Sequence, residues 1–144
     1  MGSRWVVAAI AVAPIAGCSS EPPEYKPGPG ALVAGTAQVT INGQDTGTTD
    51  AVQCSSTGAL TTIDTGDDAA GVTAIVSNSD GLVAESVGIT NLGGFTGSYN
   101  NGLGGTAKVT MIDRTYEITG TADGFDTAKP SFRIPGTFAI KVSC

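Results

Sequence analysis

The chain has 144 residues, 7 Lys+Arg against 13 Asp+Glu, and no His. That length allows one domain, the net charge of −6 leaves no electrostatic footprint for nucleic acid, and without His the commonest general base and metal ligand are missing together. Charged residues make up only 14% of the chain while 21 residues are Gly, so the polar surface rests on Thr, Ser, Asn and Gly, which suit strands and tight turns better than helices.

The first predicted element is an export segment. Arg4 supplies a positive start, Trp5 to Ala13 an uncharged apolar run, and Ala16-Gly17 the small residues a signal peptidase needs. The run is shorter than the roughly 20 residues of a membrane-spanning helix, and Pro14 would interrupt a helix that continued. Ile15-Ala16-Gly17-Cys18 places a cysteine directly after the cut. This favours the lipoprotein pathway, in which the Cys18 thiol takes a diacylglyceryl group and its new amine a further acyl chain such as palmitate. An ordinary secreted protein with a chance cysteine is the alternative. Two or three chains on one residue anchor stably where one anchors only marginally, and the acidic body adds no attraction to anionic headgroups. The expected organisation is therefore a signal over residues 1–17, an acylated N-terminus and Pro/Gly-rich tether over 18–35, and a β-rich globular domain over 36–144. Glu21 to Gly30 shows no hydrophobic periodicity, and its prolines favour extended geometry.

Short strands follow. Gln38-Val39-Thr40-Ile41 alternates and meets Asn42-Gly43, a hairpin-turn pair. Val52-Gln53-Cys54 puts Val52 and Cys54 on one face, Leu60 to Ile63 is weaker, and Val72 to Ser77 is clear, with Asp80-Gly81 after it. Leu82 to Thr90 carries Val83, Glu85, Val87 and Ile89 on one parity, so that Glu85 marks either a partly exposed face or a change of register. Phe95 and Tyr99 share a face. The plainest hairpin is Ala107 to Ile112, a turn at Asp113-Arg114, and Thr115 to Gly120. Phe138, Ile140 and Val142 line one face of the closing segment. The class expected is all-β, an antiparallel β-sandwich or half-open barrel. One short helix fits near 126–132, with Pro130 and Pro135 against it.

Several motifs suggest chemistry. Asp45-Thr46-Gly47 and Asp64-Thr65-Gly66 match the triplet of aspartic proteases, which need two carboxylates sharing a proton. About twenty residues between the triplets cannot build two lobes, and Asp67 and Asp68 crowd the second with like charge. Asp64, Asp67 and Asp68 lack the alternation, glycine and distal Glu of a calcium loop. Glu85 and Glu117 have no reason in sequence to meet as an acid/base pair. Phe95, Tyr99, Tyr116, Phe125, Phe132 and Phe138 read as core before they read as a ligand pocket. No catalytic residue, metal ligand or cofactor site is expected. Once Cys18 is set aside, Cys54 and Cys144 form an even pair, which in an exported domain reads as a disulfide. Two independent buried thiols are the alternative.

Together these stretches resemble the mycobacterial 19 kDa lipoprotein antigens. The resemblance is carried by Ala16-Gly17-Cys18-Ser19-Ser20, Ile41-Asn42-Gly43-Gln44-Asp45 and Val52-Gln53-Cys54, then by Tyr116 to Gly124 and Phe138 to Cys144. It implies a non-enzymatic, acylated surface antigen of the cell envelope, held at the outer face of the cell membrane and engaging host Toll-like receptors through its acyl chains. Cys18 matches the acylated position, and Cys54 and Cys144 the family's cysteine pair. The expected partners are thus the membrane, through covalent acyl chains, and a host receptor or envelope component. The alternative function is a carrier or binding module for a hydrophobic envelope molecule. The Ser/Thr-rich glycosylated tether of the family's best-known member is replaced here by Pro and Gly.

Overall fold

The structure is a computed structural model that describes Gly17 and residues 26–144. The expected signal, Cys18 and the first part of the tether lie outside the described residues, Gly17 apart.

All regular structure among the described residues is strand. Ten strands follow one another: β1 Thr36–Ile41, β2 Gln44–Thr49, β3 Val52–Thr57, β4 Leu60–Gly66, β5 Gly71–Ser77, β6 Val83–Leu92, β7 Phe95–Asn100, β8 Thr106–Ile112, β9 Thr115–Asp126 and β10 Lys129–Ser143. They form one antiparallel sheet in the order β2-β1-β10-β9-β7-β6-β5-β4-β3, with β8 beside β9. The two ends of this path, β2 and β3, are consecutive in the chain, so the sheet curls into a nearly closed barrel. The all-β, half-open barrel reading is borne out. Where a short helix near 126–132 was allowed, Thr127 and Ala128 instead form the turn between the two longest strands.

The turn residues act locally as their chemistry predicts. Asn42 (φ 51°) and Gly43 (φ 79°) both take the left-handed region that a tight hairpin between β1 and β2 requires. Asp113 (φ 53°) does the same between β8 and β9. Glu85 marks a change of register. Ile75 faces Ser86 while Val76 faces Ala84, so Glu85 is the extra residue of a β-bulge. The buried parity passes from Ala84 to Val87 and Ile89 across it.

β9 organises the two halves. One edge runs along β10, and the other is shared, with Thr115 to Thr121 on β8 and Asp123 to Asp126 on β7. The space inside the curled sheet is filled by side chains. Ile41, Ile63, Val76, Val87, Ile89, Phe95, Ile118, Ile140 and Val142 are all buried to within 2%, each stabilising by about 1.5–3 kcal/mol relative to exposure. Phe95 lies across two glycines: a Cβ on Gly97 or on Gly136 would come within 2.6 Å of its ring. Those two positions are glycine because the aromatic ring occupies the side-chain volume they forgo.

Candidate functional site

The residues singled out by sequence account for three places, and the structure adds a fourth. The first is the cysteine pair. Cys54, half-buried in edge strand β3, is disulfide-bonded to Cys144, which follows β10. The Cα atoms are 5.9 Å apart and the sequence separation is 90. The bond ties the free end of the sheet path to the end of a strand in its other half. It closes a loop whose chain entropy corresponds to about 4.6 kcal/mol.

The second place holds the two Asp-Thr-Gly triplets, whose carboxylates accept hydrogen bonds from their own turn and from neighbouring strands. Asp45 accepts the Gly47 N–H at 2.8 Å and the Gln38 side-chain amide at 2.9 Å. These two donors, the Gly47 N–H first, hold its carboxyl below the ordinary aspartate value. Thr46 donates to the Val39 carbonyl at 2.7 Å, bracing the irregularity in the β1–β2 ladder. Asp64 accepts the Thr73 hydroxyl at 2.7 Å across the β4–β5 pair. Asp67 caps the following turn by accepting the N–H groups of Ala69 and Ala70. Asp50, Asp64, Asp67 and Asp68 border one open polar cleft of about 700 Å³. Among the described residues no three His, Cys, Asp or Glu side chains are grouped to hold a metal ion.

The third place is the set of glutamates and aromatics. Glu85 lies on β6 and Glu117 on β9, strands that do not pair with each other. Phe95, Tyr99 and Phe138 are core, as expected. Phe132 is not, being 70% exposed in the irregular first part of β10.

The fourth place was not expected. Residues 28–35, read as tether, form a strap against the end of the barrel where β8 turns into β9. The Leu32 N–H donates to the buried Thr115 hydroxyl at 2.9 Å, and the Gly35 N–H to the Ser143 carbonyl at 2.8 Å. Within the strap the Ala31 N–H donates to the Gly28 carbonyl, and both the N–H and the hydroxyl of Thr36 to Val33. Ala31, Leu32 and Ala34 together with Asp113, Arg114, Thr115 and Ser143 enclose a mainly apolar groove of about 450 Å³. The one signal for this in the sequence was the short apolar run Ala31-Leu32-Val33-Ala34, which a fully solvated tether has no reason to carry.

A family model described as Mycobacterium 19 kDa lipoprotein antigen matches residues 30–144, a span that begins inside the strap. A putative lipoprotein of Mycobacterium indicus pranii is 35% identical over 138 residues, covering 95% of this chain and 94% of its own. Lipoprotein LpqH of Mycobacterium tuberculosis is 35% identical over 149 residues, covering 95% of this chain and 92% of its own. Lipoprotein LpqH of Mycobacterium avium is 37% identical over 112 residues, covering 77% and 69% respectively.

Proposed function

This chain belongs to the Mycobacterium 19 kDa lipoprotein antigen family, and from that membership we propose that it is an exported lipoprotein acylated on Cys18. Its β domain is displayed at the outer face of the cell membrane. It acts without catalysis, by holding the domain in place and presenting its acyl chains to a host Toll-like receptor. The observation that carries the reading is the strap. The chain leaves the domain at one end of the barrel, and Cys18 stands only eight residues before Lys26, the first residue of the continuous described chain. Attachment at that end turns the opposite end of the barrel away from the membrane. The carboxylates that suggested an enzyme accept hydrogen bonds from turns and neighbouring strands, which accounts for them without a reaction. A cargo inside the barrel is the weaker reading, because the core side chains fill that space.

The test is metabolic labelling with a palmitate analogue followed by intact-mass analysis. The native chain should carry label, start at residue 18 and contain no free thiol. Cys18→Ala should be unlabelled and should lose Toll-like receptor stimulation while keeping its fold. Label on Cys18→Ala, or equal receptor stimulation by the two proteins, would overturn the proposal.

A further inference from the structure

We propose that the groove at the root of the strap receives one acyl chain of Cys18 when the protein is out of the bilayer. The strap would then carry both the lipid and its shelter. The inference rests on the acylation reading above and adds a site to it.

Three observations converge. The groove is built partly by the strap itself: Ala31, Leu32 and Ala34 form one side, and Thr115, Ser143 and the Asp113-Arg114 turn the other. It therefore exists only while the Leu32–Thr115 and Gly35–Ser143 bonds hold the strap down. Its volume of about 450 Å³ falls within the roughly 300–1,000 Å³ of small-molecule sites.

Reach is the second observation. Eight residues from Lys26 back to Cys18 span at most about 26–29 Å, and five residues from Lys26 to Ala31 at most about 18 Å. The whole groove therefore lies within the contour length that separates Cys18 from Lys26, with no movement of the docked strap. A ligand already joined to the chain binds at an effective concentration set by that short connection.

Charge is the third. Asp113 and Arg114 stand side by side at the mouth, both exposed to water, on a chain of net charge −6. Asp113 and Arg114 together bring no net charge to the mouth. The Asp113 carboxylate already stands beside the one cation among the described lining residues, so a free fatty acid or an anionic phospholipid gains no net attraction. An acyl chain esterified to glycerol on the Cys18 thioether is uncharged and asks for no hydrogen bond. The aliphatic stem of Arg114 can extend the apolar wall while its guanidinium stays in water. Removing that chain from water is favourable without any polar partner.

The experiment uses the full-length chain produced in cells fed a palmitate analogue that bears a photoreactive diazirine. Intact mass confirms label on Cys18. Protein is then transferred from detergent to dilute detergent-free buffer, irradiated and digested. Mixing isotopically heavy and light copies separates cross-links within one chain from those between chains. The expected result is intramolecular cross-links concentrated on the peptides that carry Ala31–Ala34 and Arg114–Thr115. They should fall about tenfold, the effect of about 1.4 kcal/mol, in Leu32→Glu. They should fall similarly in Ala34→Trp, which fills the groove from its exposed side without touching the core. Label with cross-links only between copies, or scattered over the surface and unchanged in both variants, overturns the inference alone. Absence of label from the native chain overturns the acylation reading and the inference with it.

Discussion

The two ends of the β9–β10 pair show how one long hairpin can be finished in opposite ways. At the end near Ser143 the strap lies over Thr115, and the disulfide follows one residue later at Cys144. At the other end, about 45 Å away along the 15-residue β10 at about 3.3 Å per residue, residues 129–135 have β9 on one side and, among the described residues, no strand on the other. Phe132 and Ile134 there are 70% and 41% exposed. The first end is held by a covalent bond and covered backbone. The second is left open and protected by composition. Strength is thus concentrated at the end from which the chain leads to Cys18.

The sharpest way to break that contrast is to cut the covalent bond. Replacing both Cys54 and Cys144 with Ser should lower unfolding stability by about 2–5 kcal/mol, mostly through a freer unfolded chain. Urea unfolding read by tryptophan-independent circular dichroism, with and without reductant, measures it. Coincident curves for oxidised and reduced native protein would mean that the barrel does not depend on the staple.

Next in size is the root of the open arm. Gly136 sits where β10 leaves the core, and a Cβ there would come within 2.6 Å of the Phe95 ring. Gly136→Ala should cost about 1–3 kcal/mol, the usual penalty of overfilling a packed site. Because Phe95 also covers Gly97, combining Gly136→Ala with Phe95→Leu should recover part of that loss. Full additivity in thermal unfolding would show that the ring and the glycine are independent.

Particular residues explain how much of this was legible in the sequence. Alternating apolar residues announced β1, β5, β8 and the first half of β9, because apolar side chains on one face of each reach the core, in β8 through Val109. Glu85 on an apolar parity pointed to the bulge that exists there. β2 passed unnoticed: Gln44-Asp45-Thr46-Gly47-Thr48-Thr49 is an edge strand with no buried residue, and an edge paired on one side needs no apolar pattern. The far halves of β9 and β10 were hidden for the converse reason. Gly124 and Gly136 are buried without apolar side chains, and Pro130 and Pro135 read as breakers. At the site, the cysteine pair could be read from parity of number alone, whereas docking of the strap depends on Thr115 and Ser143, more than 80 and 100 residues later in the chain. No local pattern reports a bond of that span.

A smaller effect sharpens the covered end. Thr115→Val keeps the volume but removes the acceptor of the Leu32 N–H. Leaving that donor without its partner should cost about 1–2 kcal/mol. The loss should appear as faster hydrogen exchange at Leu32 and Gly35 and earlier proteolysis within residues 26–35, with the barrel amides unchanged. Uniformly faster exchange over the whole barrel would mean that the strap and barrel open as one unit.

The smallest change in stability tests the open end, and there the readout is association. Thr137 exchanges hydrogen bonds with Asn42, donating its N–H to the Asn42 side chain at 3.0 Å and accepting the Asn42 N–H at 2.9 Å. Its backbone groups therefore face the side of β10 that β1 occupies. Two residues earlier Pro135 faces the same way, past the end of β1, where a missing N–H deprives no ladder of a bond. The proline removes a donor from an exposed edge next to Ile134, which is how natural sheets discourage pairing with another chain. Pro135→Ala should shift stability by no more than about 0.5 kcal/mol, since it touches no buried contact. It restores an outward N–H on a strand with exposed apolar residues, so sedimentation should show concentration-dependent self-association that the native chain lacks. Placing Lys at position 132 in the same variant should abolish it by adding charge to the edge. A Pro135→Ala protein that stays monomeric at every concentration would mean that the bulge over residues 130–132, rather than the proline, keeps this edge closed to partners.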